Sequence, residues 1–454
     1  MVRVLVLALI LITCFVFVQC NANGTCSLDM FGNDTGAYMA CTAQFALQAN
    51  WFPSPIAGLF SYLVWNGFDG FWQNGAVLEP MVNFMEYANH SRYVSVVRSS
   101  WRQLYSLLEA YGPYPSFDDM GWYGLSYVRI YEVLGYEEFL DTALDIFNWV
   151  WETGWDLSGN CGGGFFFDDS RMSKQTITNV QMLQLGAKLY RIYQKDYIWN
   201  KTTDVYNFIM NNQIINATTY VVFDGITWTC QGSGDSDFTY NSGVLIGGLV
   251  ELYKLSNVSN YIDLAVKLAD ATIINHTENI TGIFRESCDP NCNDDAKMFK
   301  GIFVRNLRYL IDALPDGDVT KAGYKIWLKH NVMGITKYDM CDKSPISLCN
   351  ITLKDGPSYF NVSGPVFSPD WIGPVTYGAP MQQACALDLF VASIDAKTQC
   401  TGNYCSYDPP YPPPQPLTCQ SHPCPPDEPC CEYSPYTSYT CCESTQKCQN
   451  GICV

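Results

Sequence analysis

From Gly36 to Ser393 apolar residues recur at intervals of three and four, and short Gly-, Pro- or Asn-rich breaks separate the periodic runs, the pattern of consecutive α-helices. Twelve helices are expected, starting near Gly36, Asp69, Ser95, Asp118, Tyr136, Ser173, Trp199, Thr239, Asn260, Asp294, Val319 and Ala379. They alternate in type. Odd members, such as Glu138–Phe147 and Tyr261–Asp270, carry one apolar and one charged face and read as surface helices. Even members, such as Thr239–Tyr253, are apolar nearly all round and rich in glycine, as suits helices packed on every side. Six inner helices alternating with six outer ones is the pattern of an all-α (α/α)6 toroid, a layered unit in which one domain can run to about 370 residues.

The ends of the chain have other patterns. Met1-Val2-Arg3 followed by the apolar run Val4–Val18 reads as a signal peptide over residues 1–22; the run falls short of the about 20 residues that a spanning helix needs. The toroid is assigned to 23–399. Residues 400–418, with six prolines from Pro409 to Pro416, are expected to form an extended spacer. Residues 419–454 hold eight cysteines spaced C-x4-C-x5-CC-x9-CC-x5-C-x4-C and too few apolar residues to fold without crosslinks, so a four-disulfide module is expected. Its pairs Cys430-Cys431 and Cys441-Cys442 loosely resemble granulin-like modules with a different spacing; a zinc cluster is the lesser alternative.

Composition narrows the function. The chain has 454 residues, of which 48% are apolar and 15% charged, so a large core is available. A net charge of −18 opposes phosphate backbones and anionic lipids, which argues against nucleic acid and, once the leader is removed, against a membrane partner. Ten Asn-X-Ser/Thr triplets and 21 cysteines fit an exported glycoprotein, secreted or delivered to lysosomes or endosomes. About 19 cysteines remain after the leader, an odd number that leaves one thiol free or paired between molecules. Only four histidines are present, two inside glycosylation triplets, so the chemistry is expected from carboxylates, with no metal or cofactor.

Polar residues gather just ahead of, or in the first turn of, the even-numbered helices, which in a toroid open at one end of a central funnel. These segments are 66–74, 117–122, Asp168-Asp169 with 178–181, Asp224-Gly225 with 239–241, Glu286 with Lys300-Gly301, and 377–383. Acids, amides and aromatic rings together suit sugar recognition. Glycoside hydrolysis needs two carboxyl groups, one protonated and one ionised, and Asp118-Asp119 can supply both, since like charges side by side separate their pKa values. The simpler local reading is that Asp at a helix start caps free N–H groups. Asp168-Asp169 has no cation-loop spacing and is read as solvated or substrate-binding. Asp294-Asp295 lies beside Cys288 and Cys292, where a local disulfide is preferred to a metal site. Trp149 and Trp151 are expected in the core, and Gly162–Gly164 lacks the context of a phosphate loop.

The blocks Gly70–Asn74, Phe117–Trp122, Cys161–Gly164, Asp224-Gly225, Thr239–Gly248 and Phe299–Arg305, in that order, resemble glycoside hydrolase family 76, the endo-α-1,6-mannanases and related fungal cell-wall transglycosylases. The resemblance runs from about Trp65 to Val391 and implies an (α/α)6 barrel. It implies Asp118 as nucleophile and Asp119 as general acid/base of a retaining mechanism, reversing the local preference for capping. By the same resemblance Asp224, Tyr240 and Asn241 line mannose subsites, and Trp72, Asn74, Asp168, Asn179 and Glu286 are added to them. The partner implied is α-mannan or another mannose-containing polysaccharide, with the cysteine-rich module as a further carbohydrate- or surface-binding element. Trp122-Tyr123 and Phe165–Phe167 depart from the tryptophans common in the family. Hydrolysis is preferred to transglycosylation because no lipid-anchor signal follows the tail; a noncatalytic glycan-binding protein is the third reading.

Overall fold

The computed structural model describes residues 26–51, 70–112, 116–233, 237–343, 349–353, 364–395 and 398–405, with the backbone of four short strands between 430 and 453. The expected leader and most of the spacer lie outside the described residues.

Twelve long helices form the body: α1 (Thr35–Trp51), α2 (Phe71–Ala88), α3 (Val94–Tyr111), α4 (Phe117–Leu134), α5 (Glu137–Gly154), α6 (Thr176–Tyr193), α7 (Asp196–Asn211), α8 (Thr239–Ser256), α9 (Ser259–His276), α10 (Phe299–Ala313), α11 (Val319–Tyr338) and α12 (Pro380–Ala392). The even helices pack each against the next, and α12 returns to α2, closing an inner ring. The odd helices stand outside: α1 on α12, α3 on α2, α5 on α4, α7 on α6, α9 on α8, and α11 on α10 and α12. This is the expected (α/α)6 toroid. Each outer helix returns the chain, so the inner helices run in one direction and bring their first turns to one end.

The alternation follows from composition. α5 and α7 bury one stripe, whereas α2, α8 and α12 are buried almost throughout. α1 is the exception among outer helices, since it is buried on most sides. The Cys26–Cys41 disulfide and residues 393–394, which pack against Gly36, cover it. Inner helices approach closely where side chains are small: a Cβ on Gly301 of α10 would lie 2.9 Å from the Cys385 Cα in α12.

At the end of the ring away from the first turns, the inner helices are tied by buried ions. Arg305 binds Glu79 at 2.7 Å and Asp388 at 2.8 Å, and Tyr309 donates to Glu79 at 2.6 Å. Arg129 donates to Asn83 and pairs with Glu86; Lys188 meets Glu132 at 3.0 Å, and Arg191 meets Glu251 at 3.0 Å. Pro80, inside α2, has no N–H for the Ala76 carbonyl, and Arg305 Nη2 donates to that carbonyl instead.

Short strands brace the loops at the opposite end. β1 (Lys174–Gln175), β2 (Gly225–Ile226) and β3 (Gly232–Ser233) form an antiparallel ladder, with Gln175 opposite Gly225 and Gly225 opposite Ser233. β4 (Met340–Cys341) pairs antiparallel with β6 (Val366–Phe367), and β5 (Thr352–Leu353) pairs parallel with β7 (Tyr377–Gly378). Among the described residues five disulfides join Cys26–Cys41, Cys161–Cys230, Cys288–Cys292, Cys341–Cys349 and Cys400–Cys405. The local Cys288–Cys292 bridge is as expected, and Cys385, buried in α12, is the free thiol among the described residues.

The barrel's own contacts run on to Cys405, into the segment expected as spacer: Cys400 N–H donates to the Ala88 carbonyl and Ser91 N–H to that of Cys405. In the cysteine-rich tail the backbone forms two antiparallel pairs, β8 (Cys430–Tyr433) with β9 (Ser438–Cys441) and β10 (Cys448–Gln449) with β11 (Ile452–Cys453). No helix among the described residues is long and apolar enough to cross a membrane.

Candidate active site

The first turns of α2, α4, α8 and α10, with the loops before them, enclose a cavity of about 380 Å³. Gly70, Trp72, Ser116, Asp118, Asp119, Trp122, Phe167, Phe238, Tyr240, Asn293, Asp295 and Phe299 line it. Four of the ten expected site residues, Trp72, Asp118, Asp119 and Tyr240, therefore share one wall.

Its aromatic side is continuous. Tyr240 stacks on Phe299 with ring centroids 3.8 Å apart and planes 7° from parallel, and lies 6.3 Å from Trp122. Trp122 is 5.4 Å from Trp72. Rings held this way offer flat apolar faces beside carboxylates, the combination that binds the C–H face and hydroxyls of a sugar.

Asp118 and Asp119 occupy the first turn of α4. Asp118 is buried, and its Oδ1 takes no hydrogen bond among the described residues. Burial pushes its carboxyl up to about 7, with Asp295 and Asp168 pushing the same way, while the backbone N–H groups of the helix start pull it down. Asp119 is raised well above the ordinary carboxyl range by burial, then by the charges of Asp118 and Asp295. The helix start thus favours charge on Asp118, while burial and the neighbouring charges of Asp118 and Asp295 favour the proton on Asp119.

The other six expected residues lie outside the cavity lining. Glu286 is buried under the start of α8, where Thr239 donates to it from N–H at 3.1 Å and from Oγ1 at 2.5 Å. Burial raises its carboxyl to about 7. Asn179 ties α6 to the glycine-rich loop, accepting from Phe165 N–H at 2.8 Å and donating to the Gln175 carbonyl at 2.8 Å. Asn241 donates to Asp224 at 2.8 Å beside Tyr240. Asp168 accepts from Ser170 N–H at 3.0 Å, and its backbone bridges to Ser116, ahead of the Asp pair. Asn74 is buried in the first turn of α2.

The loop 156–175 is itself a built object. Gly163 has φ +109°, and a Cβ there would run into Trp155. The buried Lys174 Nζ binds Asp156 at 2.7 Å and the carbonyls of Asn160 and Gly163 at 2.8 and 2.6 Å, and the Cys161–Cys230 bridge fastens the other side. Phe167 is thereby presented to the cavity, while Phe165 packs beneath it against Trp151 and Trp155.

Sequence reasoning missed Asp295. Its Oδ1 accepts from Trp72 Nε1 at 2.8 Å and Gln73 Nε2 at 3.0 Å. The available signal was its position just ahead of the inner helix α10, which starts at Phe299. Among the described residues no group of three or more His, Cys, Asp or Glu side chains is placed to hold a metal ion.

Comparison with known proteins agrees with this architecture. The model of glycosyl hydrolase family 76 matches residues 39–390. A putative mannan endo-1,6-alpha-mannosidase of Schizosaccharomyces pombe is 28% identical over 213 residues, 44% of this chain and 48% of its own. The mannan endo-1,6-alpha-mannosidase DFG5 of Saccharomyces cerevisiae is 26% identical over 176 residues, 36% of this chain and 37% of its own. The match thus spans about half or less of these curated relatives. The GH76A alpha-1,6-mannanase of Salegentibacter sp. HEL1_6 shares the fold with a TM-score of 0.64 at 19% identity, over 79% of this chain and 98% of that one. An inactive variant of that enzyme, with two adjacent aspartates replaced by alanine, has been solved with alpha-1,6-mannotetrose bound.

Proposed function

This chain belongs to glycosyl hydrolase family 76, and from that premise we propose that it is a retaining endo-α-1,6-mannanase acting on mannan. The observation that carries the reading is the adjacent pair Asp118-Asp119, with both carboxyl groups raised, in an aromatic-walled cavity at the open end of the inner ring. Asp118 attacks the anomeric carbon while Asp119 gives its proton to the departing glycosidic oxygen; Asp119 then takes a proton from the water that releases the sugar from Asp118. Trp72 and Tyr240 face the sugar rings, and the paired Asp224 and Asn241 bind hydroxyls further along. Glu286 and Asn179 act at one remove, by holding the starts of α8 and α6. The inactive Salegentibacter variant supports the assignment of the aspartate pair.

The test is linear α-1,6-mannan incubated with wild type, Asp118→Asn and Asp119→Asn, followed by NMR of the first anomer released. Release of the α-anomer by wild type alone is expected. Initial β-anomer would overturn retention, and binding without release would overturn hydrolysis. Lengthened products with added acceptor sugars would point to transglycosylation.

A further inference from the structure

Asp295 stands in the cavity wall with no assigned part in the reaction proposed above. It follows the Cys288–Cys292 bridge and precedes the short turn Ala296–Met298 that leads into α10. The loop is firm, since Asn293 accepts from Ala296 N–H at 2.9 Å. Both donors that fix Asp295, the Trp72 indole and the Gln73 amide, are neutral, so they orient the carboxylate without cancelling its charge. The nearest cation along the chain, Lys297, pairs with Asp294 instead.

The groups that face Asp118 and Asp119 come from every element around the cavity. α2 brings Trp72 and Gln73, α4 brings Trp122 and Tyr123, the loop before α6 brings Asp168, and α8 brings Tyr240 with Asp224 and Glu286 behind it. Tyr123 and Tyr240 are held neutral by burial. Of the acids around the pair, Asp295 is the one that lines the cavity together with both of its members. We propose that Asp295 is a positioning residue for the Asp118-Asp119 pair: a third carboxylate in the same cavity lining, aimed by Trp72 and Gln73, whose charge keeps one proton on the pair. A negative charge facing a carboxyl group disfavours ionisation, which is the state a general acid must resist before it meets substrate.

This rests on the aspartate pair being catalytic, so the experiment reads the pair with and without turnover. In the full chain, Asp295→Asn keeps an oxygen for Trp72 and Gln73 and removes the charge. Both limbs of the kcat/KM profile on α-1,6-mannan are expected to move to lower pH, by about 0.5–1 unit. Asp295→Glu, which restores the charge, returns the limbs toward the wild-type values. Carboxyl ¹³C NMR of aspartate-labelled, unliganded protein gives the second readout, with the pair's signals identified by their loss in Asp118→Asn and Asp119→Asn. A downward shift of their midpoints in Asp295→Asn supports the proposal even where wild type leaves this mannan uncut, a result that would count against the activity alone. Unmoved midpoints and unmoved limbs overturn it, whatever happens to the rate.

Discussion

A buried carboxyl group near the start of a helix is under two opposed forces, and at Asp118 both are visible. Burial and the acids Asp295 and Asp168 raise its pKa to about 7, while the free N–H groups of α4 favour its charge. Activity requires Asp118 ionised and Asp119 protonated, so a bell-shaped pH profile is expected. Its acid limb is set by Asp118, its alkaline limb by Asp119, and each Asn variant falls by about 10²–10⁴-fold or more in kcat. The same shift bears on stability. The folded value of Asp118 lies above the unfolded value of about 4, so the native state holds a proton that the unfolded chain has lost between those two pH values. That stabilising proton is fully effective below about pH 4 and is lost as pH rises through 7. Asp118→Asn is therefore expected to be more stable than wild type at pH 8, on the order of a few kcal/mol, and no more stable at pH 4, as checked by denaturant unfolding at both.

Elements matter here through their first turns and the loops that deliver them. The loop 156–175 reaches the cavity mouth because Lys174 gathers three oxygens and because Cys161–Cys230 closes 69 residues of chain. Replacing both cysteines by alanine is expected to lower unfolding free energy by up to about 4 kcal/mol, measured by denaturant titration. The twelve helices were legible because inner and outer members differ in how much of their surface is apolar. Less legible was which polar residue at a helix start faces the cavity and which turns beneath it. Trp72, Asp118, Asp119 and Tyr240 face it; Asn179, also in a first turn, spends its polar atoms on Phe165 and Gln175, and Glu286, in the loop ahead of α10, spends its own on Thr239. A shift of one residue around a helix start decides between those outcomes, and periodicity does not resolve one residue. Asp295 was hidden for another reason: its partners, Trp72 and Gln73, lie more than 220 positions away.

Across the whole molecule a second set of inner-helix charges, away from the Asp118-Asp119 pair, holds the ring together. These helices looked apolar nearly all round, yet Arg129, Lys188, Glu251 and Arg305 sit in them and find partners on neighbouring helices, Arg129 and Glu251 pairing within their own helix as well. Burial raises Asp388 to about 7 even beside Arg305; burial also opposes the charge of Glu79, but Arg305 and Lys188 outweigh it and hold that carboxyl low. Arg305→Met leaves two buried acids without their cation, and a loss of about 3–5 kcal/mol is expected in denaturant unfolding, with the acids' protonation softening it at low pH. The closure of the ring has a consequence for the order in which the chain is made. α1 packs on α12, the Gln383 side chain donates to the Ala43 carbonyl across 340 positions, and Asp34 accepts from the backbone of Asp395. A ribosome adding about 5–20 residues per second therefore leaves Ala40, Leu47 and Trp51 without their seat for roughly 20–70 s. For that interval the oldest part of the nascent chain is its least finished, and a folding helper has its longest opportunity at the N-terminal helix.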